Sequence, residues 1–264
     1  MRTFVFTCLL LLGMTTFAQD SNFHIYLCLG QSNMEGNAKV EEQDTVAVDS
    51  RFQVLAAVDC PNLGRTKGNW YKAVPPLARC YTGLTPGDYF GRAMVANLPS
   101  NVRVGIINVA VGGCRIELFD KDNYQFYVET SPDWLKNMVK EYGGNPYARL
   151  VEMAKLAQKD GVIKGILLHQ GESNTNDKDW PLKVKGVYDN LLNDLGLSAA
   201  NVPLLAGEVV HADQNGVCAS MNTIIDSLPQ VIPTAHVISS AGCPAAFDNL
   251  HFTAEGYRML GARY

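Results

Sequence analysis

The chain has 264 residues, a formal net charge of −4, 47% hydrophobic residues and 18% charged ones. That is enough apolar sequence for one sizeable core. No block of basic residues breaks the acidic balance, which excludes the electrostatic footprint of a nucleic-acid-binding protein.

The first eighteen residues, MRTFVFTCLLLLGMTTFA, carry one early arginine, an apolar run and small residues near Ala18. This pattern predicts a secretory signal peptide, too short and wrongly flanked for a membrane anchor. Cleavage is expected after Ala18, leaving residues 19–264 as a single domain, secreted or periplasmic. Cys8 falls inside the apolar stretch, too early for a lipidated cysteine. No later apolar run is long enough to span a bilayer.

Residues 25–29 form a short apolar run within a strand expected over 23–30, buried on both faces. The run breaks at Gly30 into a turn carrying Gln31, Ser32 and Asn33. Small polar residues directly after a buried strand place Ser32 at the carboxyl end of a sheet, where open α/β folds bind ligands. Backbone N–H groups following it can face a developing negative charge. A serine in this position can equally cap the next helix, and strand–Gly-x-Ser alone does not separate the two readings.

Residues 37–85 hold Pro75-Pro76, several glycines and little periodicity, and are expected as a long loop. A helical pattern covers 87–98, and a second buried strand covers 103–111. Gly112-Gly113 follows that strand. Paired glycines make a tight turn, and they also let backbone approach a reacting group and present an N–H to it. Arg115 lies just beyond, with substrate contact and a structural ion pair as its two readings. Residues 116–145 are rich in aromatics and are expected as a second long loop, of the kind that builds substrate rims.

The pattern then resumes with a helix over 146–159, a strand over 162–169, a helix over 182–195, a strand over 202–209, a helix over 217–227 and a strand over 235–240. Alternation of this kind predicts a three-layer α/β/α domain, a five-stranded parallel doubly wound sheet with helices on both faces. The third strand ends in His169-Gln170-Gly171-Glu172-Ser173-Asn174, on the same sheet edge as Ser32. Gln170 can offer a side-chain N–H to an oxyanion, and Glu172 is a candidate acid. His169 reads as a packed structural residue.

Near the C-terminus comes Asp248-Asn249-Leu250-His251, with Thr253 as N-cap of a last helix. A carboxylate three residues before a histidine can accept from its Nδ1–H, fixing the tautomer and leaving Nε2 free to take a proton. A post-strand serine with such a loop supplies nucleophile, base and orienter. A base of this kind must be neutral to act, so activity is expected to fall on acidification.

Six of the seven cysteines lie beyond Ala18. Cys28 sits mid-strand as a buried thiol. Cys60 and Cys80 share one loop-rich region, Cys218 and Cys243 another, and pairing within each region is compatible with export.

GQSNM around Ser32, the glycine pair after the second strand, HQGE around Glu172 and DNLH ending at His251 together resemble the SGNH hydrolase superfamily. Within it the match is to the carbohydrate esterases that include acetylxylan esterases and sialate O-acetylesterases, and it covers nearly all of residues 19–264. The resemblance implies a flavodoxin-like fold, Ser32 as nucleophile and His251 as general base. Asp248 matches the acid of the Asp-x-x-His motif, with Glu172 as a competing or second acid. The Ser32 and Gly113 N–H groups and the Gln170 side chain match the oxyanion hole. Gln31, Asn33 and Arg115 are then candidate substrate contacts. Gln170 stands where the superfamily name implies asparagine, which fits the carbohydrate esterase group. The implied partner is an acetylated carbohydrate, and the implied reaction needs no metal or cofactor. A non-catalytic carbohydrate-binding domain on this scaffold and a lipase- or thioesterase-like hydrolase are the competing expectations.

Overall fold

The computed structural model describes residues 19–264; the expected signal peptide, with Cys8, lies outside them. Among the described residues are seven strands: β1 (Asp20–Gly30), β2 (Phe52–Leu55), β3 (Trp70–Lys72), β4 (Arg103–Ala110), β5 (Gly161–His169), β6 (Leu204–Gly207) and β7 (Ala235–Ile238). They form one sheet in the order β3-β2-β4-β1-β5-β6-β7. β3 runs antiparallel to β2, and every other neighbouring pair is parallel.

The five strands expected from sequence are β1, β4, β5, β6 and β7. They lie in the order β4-β1-β5-β6-β7, the doubly wound arrangement whose switch point flanks β1. The expectation of a five-stranded, all-parallel sheet is corrected by β2 and β3, which extend the β4 edge. Both strands are short and come from the segment expected to be loop. Phe52, Val54 and Leu55 of β2 are buried, and Trp70 of β3 packs on the Phe23 ring with centroids 4.7 Å apart. A Cys60–Cys80 disulfide closes the same segment. Cys218 and Cys243 are free thiols, so the second expected pairing is absent. Cys28 is a buried free thiol, as its mid-strand position requires.

Alternation along β1 shows how the layers form. Ile25, Leu27 and Leu29 enter one apolar cluster, shared with the helices Pro146–Ala157 and Trp180–Leu195. Tyr26 and Cys28 enter the other, with Phe90 and Val95 of the helix Pro86–Asn97. Period-two side chains that are apolar on both faces require a layer on each side. Each fully buried Leu or Ile contributes about 1.5–3 kcal/mol relative to exposure. The last helix, Ala254–Arg263, lies against Pro86–Asn97, where a Cβ on Gly261 would stand 2.3 Å from the Pro86 carbonyl oxygen.

Two helical expectations change. Residues 116–145 are not loop but hold a 3-10 turn, Ile116–Phe119, and helices Tyr124–Thr130 and Asp133–Glu141. The expected helix over 217–227 resolves into two short turns, Ala219–Met221 and Asn222–Ile225, with a third, Leu228–Val231, beyond it. Asn222 turns its side-chain amide to the Val209 carbonyl at 3.1 Å. Pro229 removes an N–H that a continuous helix would need.

Candidate active site

β1 stops where Gly30 takes φ +149°, and a Cβ there would stand 2.0 Å from the His169 carbonyl oxygen. Only glycine fits that approach. It lets the Gln31 N–H donate to His169 O at 3.0 Å, locking the ends of β1 and β5 together. Ser32 then opens a single helical turn, Ser32–Glu35. Among the described residues the Ser32 N–H has no internal acceptor, and neither has the Gly113 N–H after β4. Gly112 lies beside the serine, with its ideal Cβ position 3.8 Å from Ser32 Cβ.

The histidine arrives on the loop before the last helix. Asp248 Oδ1 accepts from the N–H groups of Leu250 and His251, each at 3.0 Å, and Asn249 takes the left-handed conformation between them at φ +51°. Thr253 accepts from Gly256 N–H at 3.1 Å and starts the helix. This turn sets Asp248 Oδ2 2.6 Å from His251 Nδ1 and His251 Nε2 2.8 Å from Ser32 Oγ. Partial burial pushes the Asp248 carboxyl up, but the imidazole and the two backbone N–H groups outweigh it and hold it below the usual carboxylate range. An ionised Asp248 can only accept, so Nδ1 carries the proton and Nε2 is the acceptor for the serine O–H.

Glu172 lies elsewhere in the same cleft and is not bonded to His251. Its Oε1 accepts from Asn33 Nδ2 at 2.5 Å and lies 3.7 Å from His169 Nδ1. His169 is fully buried, with Nε2 3.0 Å from Glu208 O; burial, first among the causes, pushes its pKa down. It is thus the packed residue that its sequence position suggested. Asn33 is also fully buried. Its amide donates to Glu172 and to Leu250 O at 3.1 Å, and its oxygen accepts from Tyr257 Oη at 2.6 Å. The side chain therefore ties the serine turn to the histidine loop instead of reaching toward substrate.

Gln170 does not enter the cleft. Its Nε2 faces Asn174 Oδ1 at 2.7 Å, Gln31 Oε1 at 3.1 Å and Cys114 O at 3.3 Å, and its oxygen accepts from Trp180 Nε1. With two amide hydrogens and three acceptors, it has no donor left for an oxyanion. Gln31 does line the cleft, and its Oε1 also lies 3.2 Å from the Ser173 N–H. Arg115 pairs with Glu117 at 3.3 Å and Asp177 at 3.4 Å, outside the cleft, so the ion-pair reading fits it.

Of two further cleft residues, Glu35 had no role in the sequence reading and Trp134 only that of one aromatic in the expected rim segment 116–145. Glu35 ends the serine turn, and its carboxylate accepts from Arg79 Nη2 at 2.6 Å and Nε at 3.1 Å. Trp134 packs its ring over Gly113, whose added Cβ would stand 2.7 Å from it, and remains 53% exposed. The signal for Trp134 lay in Leu135 and Val139, an i, i+4 apolar pair that fixes the inner face of its helix. Glu35 offered no signal beyond its place after GQSNM.

The doubly wound sheet carries these blocks along its carboxyl edge, as the resemblance to SGNH hydrolases implies. The chain belongs to the family described as carbohydrate esterase, sialic acid-specific acetylesterase, whose model matches residues 22–264. A probable carbohydrate esterase of Arabidopsis thaliana is 25% identical over 255 residues, covering 90% of this chain and 86% of that protein. A crystal structure of an Arabidopsis thaliana protein superposes with a TM-score of 0.68 at 21% identity, covering 90% of this chain and 94% of that one. A carbohydrate acetylesterase from Xanthomonas citri gives a TM-score of 0.60 at 18% identity, covering 90% of this chain and 54% of the other.

Proposed function

We propose that this chain is a secreted serine esterase that removes O-acetyl groups from carbohydrate, with acetylated xylan or a related polysaccharide as first substrate and O-acetylated sialic acid as second. The observation that carries the reading is the continuous Asp248–His251–Ser32 hydrogen-bond chain ending beside two unpaired backbone N–H groups. His251 Nε2 takes the Ser32 proton as Oγ attacks the acetyl carbonyl. The oxyanion gathers at the N–H groups of Ser32 and Gly113. Collapse of the tetrahedral intermediate, with the proton passed on to the leaving oxygen, frees the sugar hydroxyl and leaves an acetyl-serine. Water activated by the same imidazole then releases acetate.

Trp134 supports a sugar ring as the leaving group, since a half-exposed indole beside the serine offers a flat apolar face. Besides the neutral His251 imidazole, the titratable side chains lining this cleft are the carboxylates Glu35, ion-paired with Arg79, and Glu172. Glu172, the one not paired with an arginine, favours an uncharged acetylated sugar over the carboxylate-bearing sialic acid. The deciding experiment is acetate release from acetylated xylan and from O-acetylated sialic acid, by wild type and Ser32→Ala side by side. Release by wild type alone is expected, larger from xylan. Equal release by Ser32→Ala would remove the serine mechanism, and sugar binding without any release would leave a carbohydrate-binding domain. Export is tested by N-terminal sequencing of the protein recovered outside the cytoplasm, with Gln19 expected first.

A further inference from the structure

We propose that Glu35 is a positioning residue that sets the direction of the Gly113 N–H, a role resting on the esterase reading above. Three peptide groups run through the turn after β4, and the two flanking the Gly113 N–H are held from outside. On one side, Glu35 Oε2 lies against Gly112, where a Cβ would meet it at 2.9 Å. On the other side, Ser173 Oγ donates to Gly113 O at 3.0 Å. Fixing the planes before and after a peptide group leaves the middle one little freedom to rotate. Among the described residues the Gly113 N–H between them has no internal acceptor.

Glu35 is well placed to hold this geometry. It belongs to the same helical turn as Ser32, so nucleophile and turn are registered through four consecutive residues. Arg79 grips its Oε1 with two nitrogens and also bonds Glu141, at the end of the helix that begins near Trp134. Oε2 is thereby turned toward Gly112. Burial pushes the Glu35 carboxyl up, while the Arg79 charge and the Gly112 N–H draw it back down. An alanine at 112 would collide with the carboxylate, so the glycine there serves the contact.

The test sets reach against charge. Glu35→Gln keeps the length and can turn its one oxygen to the Gly112 N–H, its amide then facing Arg79, so that the charge and the Arg79 pairing are lost together while the Gly112 contact stays. Glu35→Asp keeps the charge but withdraws it by one methylene, about 1.5 Å. The probe is phenylboronic acid, in which the serine oxygen bonds to boron while its proton passes to the imidazole, leaving a tetrahedral anion in the oxyanion position. Glu35→Gln is expected to keep boronate affinity, and kcat on 4-nitrophenyl acetate, within about threefold of wild type. Glu35→Asp is expected to weaken both about tenfold or more with KM within twofold. Ser173→Ala, a surface change that frees the other side of the turn, is expected to shift boronate affinity in the same direction. Wild-type behaviour in Glu35→Asp overturns the proposal. So does an equal loss in Glu35→Gln, which would assign Glu35 to balancing Arg79. A wild type that neither turns over ester nor binds boronate refutes the esterase reading itself.

Discussion

Tyr257 Oη donates to Asn33 Oδ1 at 2.6 Å, joining the last helix to the helical turn that carries the serine. Both residues are fully buried. Tyr257→Phe leaves the Asn33 oxygen without its donor in a dry interior, at a cost of about 1–3 kcal/mol. The expected outcome is a lower melting temperature with turnover reduced but retained, read from thermal melts beside ester kinetics. An unchanged melting temperature would show that Asn33 finds another partner.

The second prediction concerns the acid. Asp248→Asn can present an amide N–H to Nδ1, moving the imidazole proton to Nε2, where it blocks acceptance from Ser32. A loss in kcat of about 10⁴-fold is expected. The carboxyl is held below its usual range, so its stabilising contribution is present above the unfolded pKa, near 3.9. That contribution is lost as pH falls through the lower folded value. Wild type should therefore exceed Asp248→Asn in stability at pH 6, and the gap should close under acid. A gap independent of pH would contradict the ionised assignment.

Asp88 gives the opposite slope. It sits at the third position of the helix Pro86–Asn97, where Oδ2 accepts from the Thr85 N–H at 2.9 Å and Oδ1 has no partner. Burial pushes its carboxyl up to about 8, against the Thr85 hydrogen bond and the Arg92 and Arg65 charges that pull it down. Between the unfolded value, near 3.9, and 8 the folded chain keeps a proton that the unfolded chain has released. Stability therefore falls as pH rises through that window. Asp88→Asn keeps an oxygen for Thr85 and has nothing to ionise. Its melting temperature is expected to decline less than that of wild type between pH 5 and 8, and parallel declines would refute the assignment.

Gly91 tests the packing under β2. A Cβ added there would stand 1.9 Å from Phe52 Cε2, and Phe52 is fully buried. Gly91→Ala must displace the ring or the helix, an overpacking cost of about 1–3 kcal/mol. A lower urea midpoint is expected. Phe52→Leu in the same chain should recover part of it by making room.

How legible the molecule was depends on how local each signal is. Continuous apolar runs announced β1, β4 and β5, because a strand buried on both faces has no polar positions to obscure it. β2 and β3 escaped because FQVL and WYK are too short to carry periodicity, and their stability comes from the neighbouring β4 edge and the Phe23 ring. The short helices of 116–145 were hidden by aromatics on their exposed sides, such as Phe126 and Trp134. At the site, the serine and the Asp-x-x-His loop were readable because each carries its chemistry within a few residues. Gln170 and Asn33 were misleading for the same reason. Their neighbours in sequence suggested the cleft, whereas partners far along the chain, Gln31's side-chain oxygen for one and Tyr257's hydroxyl for the other, hold them inside. Glu35 is meaningful only once β4 lies beside β1.

The two ends of the serine–histidine bond are 219 residues apart in sequence. During synthesis Ser32 therefore leaves the ribosome long before the histidine it bonds exists, at common elongation rates by some tens of seconds. On the proposed mechanism the growing chain holds, over that interval, a serine without its imidazole partner and no hydrolytic power. Any transcript or ribosome failure upstream of His251 would then yield an inert fragment, so ester turnover would double as a report that translation has passed that codon.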